Sequence, residues 1–435
     1  MSSLRGQDAI GKLTGATPLN FSPELRKQMD LPARIVLNDI TLREGRQFEG
    51  TILTTDECVK IAEILVHDLN MPMIQMGGYK PRDRAFMKAV RKFLDTCGRK
   101  VRTEAMTSAH QNSPNFSVKQ LLGTLDIIAD SGFGTVLCIA SSDTFLRACA
   151  EHRGDGNMSK DDLRKQEIET SLTAIRYARD KGIPEVNVNF QDFLRADLEF
   201  LKEFSKIVGE AGADTIVLDD FGGGIGLPIL YKEIFKAVRK VTPAKTALGI
   251  HAHNHAGMAV ATALASVEGG CELITIGVNG YGEGTGHVPL AETVYHLEML
   301  YGFDTGIKLE NLRPASVMIA DIMKHPLSKV APLVGDDAFV VMHDKHHQYP
   351  EYPFMFVPMK PEMVGNKGRV GFSEWAGPFG LRLHAKALGE TIPDNKIAPM
   401  LEALTDEMQW RKRALTDQEF SALLHHVRGT TTSAA

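Results

Sequence analysis

The chain is poor in cysteine: five in 435 residues, at positions 58, 97, 138, 149 and 271, with no Cys-x-x-Cys pair among them. That excludes a disulfide framework and a thiolate zinc site as the organising device of the fold. Cys138 and Cys271 sit in apolar surroundings and read as inert core thiols. Long hydrophobic runs are missing too, since none approaches the roughly 18–20 residues a membrane helix requires. The opening "MSSLRGQDAIGKLTGATPLN" mixes charges with glycine and serine and has no apolar signal core. Neither charge sign dominates. With 49 basic and 54 acidic side chains the net charge is -5, so neither nucleic acid nor membrane is expected as a partner. A reducing cytoplasm is the expected compartment.

What the chain does have is alternation. From about residue 33 to 300, short runs rich in branched residues ("ARIVLND", "MPMIQMGG", "GTVLCIASS", "DTIVLDDFGG", "ALGIHAHN") are each followed by a longer amphipathic stretch. Such alternation implies a parallel sheet. Eight strand-plus-helix units in about 270 residues predict a closed (β/α)8 TIM barrel rather than an open sheet. The expected organisation is an N-terminal extension (1–32), partly disordered or draped over a neighbour, then the barrel (33–305). A loop-rich linker subdomain (306–365) and a small helical subdomain with a frayed tail (366–435) follow.

In such barrels the active site lies at the C-terminal ends of the strands. The first strand ends in "NDITLREG", which presents Asp39, Arg43 and Glu44 within six residues. The seventh ends in "HAHNH", where the period of two puts His251 and His253 on one face, the lumen. Two imidazoles opposite a carboxylate suit a divalent metal with open positions, and Glu44 is the natural anionic ligand. Asn279, on the eighth strand, can add a carbonyl oxygen. A guanidinium beside that centre, Arg43, would stabilise an enolate or alkoxide; a structural pair with Asp39 is the alternative. "GVNGYGEGTGH" carries five glycines in residues 277–287 but lacks the strand-turn-helix order of a dinucleotide fingerprint. Gly282 and Gly284 are therefore expected in a loop closing over substrate or a CoA-type phosphate.

These motifs, in this order, resemble those of the DRE-TIM metallolyase superfamily, and within it the 2-isopropylmalate synthase and homocitrate synthase branch. The resemblance extends through "FLRADLEFL", "DDFGGGIGLP", "AFVVMHDKH" and "VGNKGRVGFSEWAG" and covers roughly residues 33–430. It implies an acyltransferase that condenses an acyl-CoA, expected to be acetyl-CoA, with a 2-oxo acid. The products would be CoA and a 2-hydroxy di- or tricarboxylate. It also implies a divalent metal (Mg, Mn, Zn or Co) held by Glu44, His251 and His253, with Asn279 where some members place a further ligand. Arg43, Asp39 and His346 form the expected catalytic set, His346 being donated across a homodimer by an exchanged linker subdomain. Gln75, Gln191 and Arg195 complete the expected substrate contacts. "SSDTFLRACAEHRGDG" is similar to the homocitrate branch, which would make Arg147 a bidentate partner for a second substrate carboxylate. The second reading is a lyase of the same superfamily, cleaving a 3-hydroxyacyl-CoA or a 2-oxo acid. A non-enzymatic, metal-retaining binding barrel is the third.

Overall fold

The computed structural model of the chain describes residues 4–78, 80–108, 117–349, 352 and 354–429. The expected tail fraying at 430–435 lies outside them. Eight strands close a parallel barrel in chain order: β1 (Val36–Asp39), β2 (Met73–Gly77), β3 (Arg102–Ser108), β4 (Gly134–Ala140), β5 (Val186–Gln191), β6 (Thr215–Asp220), β7 (Ala247–Ala252) and β8 (Leu273–Ile276). Closure is made by β8 on β1, with Asn38 beside Thr275 and Asp39 beside Ile276.

A short helix α1 (Pro23–Arg26) precedes β1. The barrel helices are α2 (Thr55–Glu63), α3 (Pro81–Thr96), α4 (Val118–Ser131), α5 (Asp143–Arg153), α6 (Lys160–Asp180), α7 (Leu198–Glu210), α8 (Pro228–Val241), α9 (Ala259–Glu268) and α10 (Leu290–Tyr295). Their starts are written in the sequence. Thr54 with Glu57 and Ser117 with Gln120 form reciprocal capping boxes, and Ser142, Ser159 and Asp197 cap the helices they precede. Met73, Val217 and Leu273 fill one layer of the lumen from β2, β6 and β8, and Met106, Val136 and Cys138 another from β3 and β4. The lumen is a packed core, so space for chemistry remains only at its mouth.

"SSDTFLRACAEHRGDG" forms α5, because Ser142 Oγ accepts the Phe145 amide and Gly154 closes the helix at φ 92°. One expectation about local structure is corrected. The segment 306–365, expected to be loop-rich, contains α11 (Leu312–Met323), which buries Leu312, Ala315, Ser316, Ile319, Ala320 and Met323 at helical spacing.

The described chain divides into two compact units, Arg5–Asp8 with Pro18–Leu327, and Ala9–Thr17 with the chain from Ser328 onward. The second contains a two-stranded sheet of β9 (Val340–Val341) and β10 (Arg369–Val370), a one-turn helix α12 (Asp344–His347), and α13 (Pro378–Ala387), α14 (Ile397–Arg411) and α15 (Asp417–Gly429). Leu381, Met400, Leu404, Phe420 and Leu424 form the core of those last three helices. Among the described residues no helix is long and apolar enough to cross a membrane.

Candidate active site

The site begins with a tight turn after β1. The amides of Arg43 and Glu44 both point at the Ile40 carbonyl, at 2.9 and 2.8 Å. The buried Asp39 carboxylate accepts the Thr41 amide at 2.9 Å and the Thr41 hydroxyl at 3.0 Å, and Thr41 Oγ1 in turn accepts the Val278 amide at 3.0 Å. Burial pushes the Asp39 carboxyl up to about 7. In this geometry Asp39 braces the turn against the loop after β8, while Arg43 and Glu44, ion-paired with each other, face the lumen.

The second half comes from the end of β7 and the loop after β8. His251 Nδ1 lies 2.8 Å from Thr275 Oγ1. That hydroxyl donates to the Ile250 carbonyl at 3.2 Å, so its oxygen receives the Nδ1 proton and the lone pair of His251 sits on Nε2. The loop 277–287 then turns back on itself. His287 N donates to the Gly280 carbonyl at 2.9 Å, Asn254 N donates to the Gly286 carbonyl at 2.7 Å, and His253 and His287 form an antiparallel bridge. The glycines are required by closeness to the chain's own groups. A Cβ on Gly286 (φ 90°) would lie 1.9 Å from the Gly280 carbonyl oxygen, and one on Gly282 would lie 2.3 Å from the His287 ring. A Cβ on Gly284 would lie 2.6 Å from His255. The loop therefore delivers a histidine.

His251, His253 and His287 each present a ring nitrogen within 4.8 Å of the others. Their ring centroids lie 5.3, 4.5 and 3.9 Å apart for the pairs 251–253, 251–287 and 253–287. Glu44 joins them, 3.3 Å from His287 Nε2 and 3.8 Å from His251 Nε2. His251 Nε2 and His253 Nδ1 are buried with no hydrogen-bond partner. Burial first, then the positive fields of neighbouring histidines and Arg43, holds His253 down at about 2 and His251 well below its ordinary value. Burial and Arg43 hold His287 at about 3. All three are neutral at pH 7 and present lone pairs, as ligands must.

The remaining expected residues divide. Gln75 lines the same small lumen cavity as Arg43 and His251 and donates to Glu104 Oε1 at 2.6 Å. Gln191 is buried at the end of β5, in register with Asp219, which in turn pairs with His251. Arg195 is half-exposed and bound to Asp192 at 2.6 Å. Asn279, after β8, has its Oδ1 buried without a hydrogen-bond partner. Its amide nitrogen donates to the Ser316 carbonyl at 2.9 Å and faces the Tyr281 hydroxyl at 3.3 Å. Arg147 is not a free cation, because Nη1 donates to the Gly156 and Met158 carbonyls at 2.7 and 2.8 Å. Its place on α5 puts those carbonyls, in the turn that follows the helix, within reach. His346 lies in the second unit, on α12, stacked on Phe356 at 3.7 Å. Sequence reasoning missed His287. A histidine at the end of a glycine loop, following the strand beside a His-x-His strand, was the available signal.

An HMGL-like sequence profile matches residues 34–319, two thirds of the chain. The 2-isopropylmalate synthase of Sulfolobus acidocaldarius is 29% identical over 85% of this chain and 90% of its own length. A homocitrate synthase of Saccharolobus islandicus is 29% identical over 85% of this chain and 75% of its own. The hydroxymethylglutaryl-CoA lyase of Pseudomonas aeruginosa superposes with a TM-score of 0.55 at 19% identity, over 69% of this chain and 96% of that one, a likeness of fold alone. With the profile spanning nearly the whole barrel and the site on the strands it covers, the chain belongs to the HMGL-like family, as a synthase-like enzyme of the acyltransferase type.

Proposed function

We propose that the protein condenses an acyl-CoA, acetyl-CoA in the simplest case, with a 2-oxo acid in a metal-dependent reaction. The observation that carries this reading is the buried group His251, His253, His287 and Glu44 with Arg43 beside it. Three neutral imidazoles, each with an orphaned nitrogen, and one carboxylate fit a divalent cation. The imidazole-rich set favours Mn, Co or Zn over Mg, which prefers oxygen donors. A cation held there supplies Lewis-acid polarisation of a chelating 2-oxo acid.

The chain's own residues do the rest. The Arg43 guanidinium offers N–H donors where negative charge develops on the keto oxygen, and its pairing with Glu44 aims them. Thr275 fixes the His251 ring, and Asp39 fixes the turn that carries Arg43 and Glu44. Overall, the acyl-CoA loses an α proton and its α carbon bonds to the keto carbon. The former keto oxygen takes up a proton, and water cleaves the thioester to a carboxylate and CoA. His346, supplied by a partner subunit, remains the proposed proton carrier on the strength of the resemblance, as does the dimer that would supply it.

The test is CoA release, read with a thiol reagent, before and after chelation. Release from a 2-oxo acid and acetyl-CoA should vanish with chelator and return with Mn2+, Co2+ or Zn2+. Release that survives complete metal removal would sink the metal-dependent reading. Cleavage of a 3-hydroxyacyl-CoA with no condensation would move the assignment to the lyase direction.

A further inference from the structure

We infer that the 2-oxo acid carries an apolar substituent, which lies on an aromatic shelf made by Phe221 and Phe145. The inference rests on the condensing reading above and deepens it. Phe221 is the first residue after β6, and its ring centroid is 6.2 Å from that of His253. Phe145, in the first turn of α5, stacks against it at 5.5 Å and 25°. Phe221 is 45% exposed, and Ile225, on the same loop, 48%. A phenyl ring left open to water beside a buried polar centre has apolar area to cover.

The shelf is held rigidly. Asp220 accepts the Gly223 and Gly224 amides at 3.0 and 2.8 Å and the Tyr231 hydroxyl, which fixes the turn carrying Phe221. Gly223 (φ 64°) lets that turn approach the site, since a Cβ there would lie 3.0 Å from His253 Cβ. Phe145 is fixed by the Ser142 cap of α5. In a 2-oxo acid the substituent is bonded to the keto carbon, so binding between the histidines places it within one side-chain length of His253. An aromatic face at that distance stabilises branched aliphatic or aryl groups and offers a carboxylate nothing.

The cations near this position are already engaged. The Arg147 guanidinium is held by two backbone carbonyls, and Arg195 is neutralised by Asp192. The acidic Asp220, in the turn that carries Phe221, opposes a second substrate carboxylate there.

The experiment measures kcat/KM for CoA release by the metal-loaded enzyme with acetyl-CoA. Pyruvate, 2-oxoisovalerate, 4-methyl-2-oxopentanoate and phenylpyruvate are compared with oxaloacetate and 2-oxoglutarate. A monocarboxylic acid with a branched or aryl substituent should exceed both dicarboxylic acids by tenfold or more. In Phe221→Ala, kcat/KM for that acid should fall about tenfold or more relative to pyruvate, the scale of a lost apolar contact, with Phe221→Leu recovering part of the ratio. Preference for oxaloacetate or 2-oxoglutarate would overturn the inference, point to Arg195, and leave the condensing reading standing. An equal fall for all oxo acids, or a changed preference among acyl-CoA chain lengths instead, would also overturn it. No CoA release from any pair would instead overturn the condensing reading, and this inference with it.

Discussion

Two buried polar clusters share the lumen, and they differ in one respect. Deeper in the barrel, the carboxylate of Glu104 receives amide donors from Asn38 and Gln75 on one oxygen, at 2.5 and 2.6 Å, and from Asn187 on the other, at 2.6 Å. Four strands thus meet at one saturated acceptor. At the mouth, three histidines converge with bare nitrogens, at a cost only a ligand can offset. Burial acts on both, raising the Glu104 pKa and lowering those of the histidines. Burial alone therefore does not mark a functional group. Where the unpaired atoms sit does. Glu104 has both oxygens bonded, although Asn38 Oδ1 and Asn187 Oδ1 beside it lack partners, whereas at the mouth the unpaired atoms are imidazole nitrogens converging on one point, which makes the deep cluster a structural clasp and the upper one a binding centre.

Exchanging the consequences of mutation between the two clusters would break this comparison. The largest effect is expected for His287→Ala, which should lower CoA release by roughly a hundredfold or more and strip bound metal, on the scale of losing a catalytic ion. Metal analysis of the purified variant checks it, with Arg43→Ala as the control that keeps metal and loses kcat by about 10²–10³-fold. If the His287 variant kept metal and rate, the upper cluster would be mere packing. Glu104→Leu should do the opposite. It leaves the Asn38 and Gln75 amides unpaired, at about 1–3 kcal/mol each, while Asn187 keeps Glu185 Oε1 at 2.9 Å, so thermal unfolding should shift down sharply while the folded fraction retains metal. A metal-free but stable Glu104→Leu protein would contradict the clasp.

A smaller effect sharpens the picture. Thr275→Val removes the acceptor that fixes the His251 tautomer and should weaken metal affinity about 10–100-fold, measurable by competition with a chelating dye. The smallest concerns Glu167, a buried carboxylate outside the lumen that accepts the Ala140 amide at 2.9 Å and is raised by burial to about 7. Because its folded pKa exceeds the unfolded value, its stability contribution is full below about 4.5 and is lost as pH rises through about 7. Glu167→Gln keeps an acceptor without the charge. It should raise the melting temperature at pH 8.5, by about 1–2 kcal/mol or a few degrees, and the gain should shrink toward pH 5. A gain independent of pH would show that packing, not charge, is responsible.

The sequence by itself determined the barrel and all of the centre but His287. Strand and helix periods are local, so eight alternating units are legible without any contact being known. His251 and His253 are two residues apart on one strand, and period two alone puts both rings in the lumen. Arg43 and Glu44 follow from strand-end position in the same way. Tertiary structure decided what depends on closure and on helix ends. His287 lies 34 residues beyond His253 and reaches it only because β7 and β8 pair and a glycine loop folds back against its own carbonyls and rings. The same glycines, read without that fold, give only a loop closing over substrate or a CoA-type phosphate. Arg147 looked like a free guanidinium until α5 and the turn after it supplied two carbonyls. The physical reason is common to both. A side chain's type and local phase are set by the chain around it, but its partner, or its lack of one, is set by whichever distant backbone the fold brings within 3 Å.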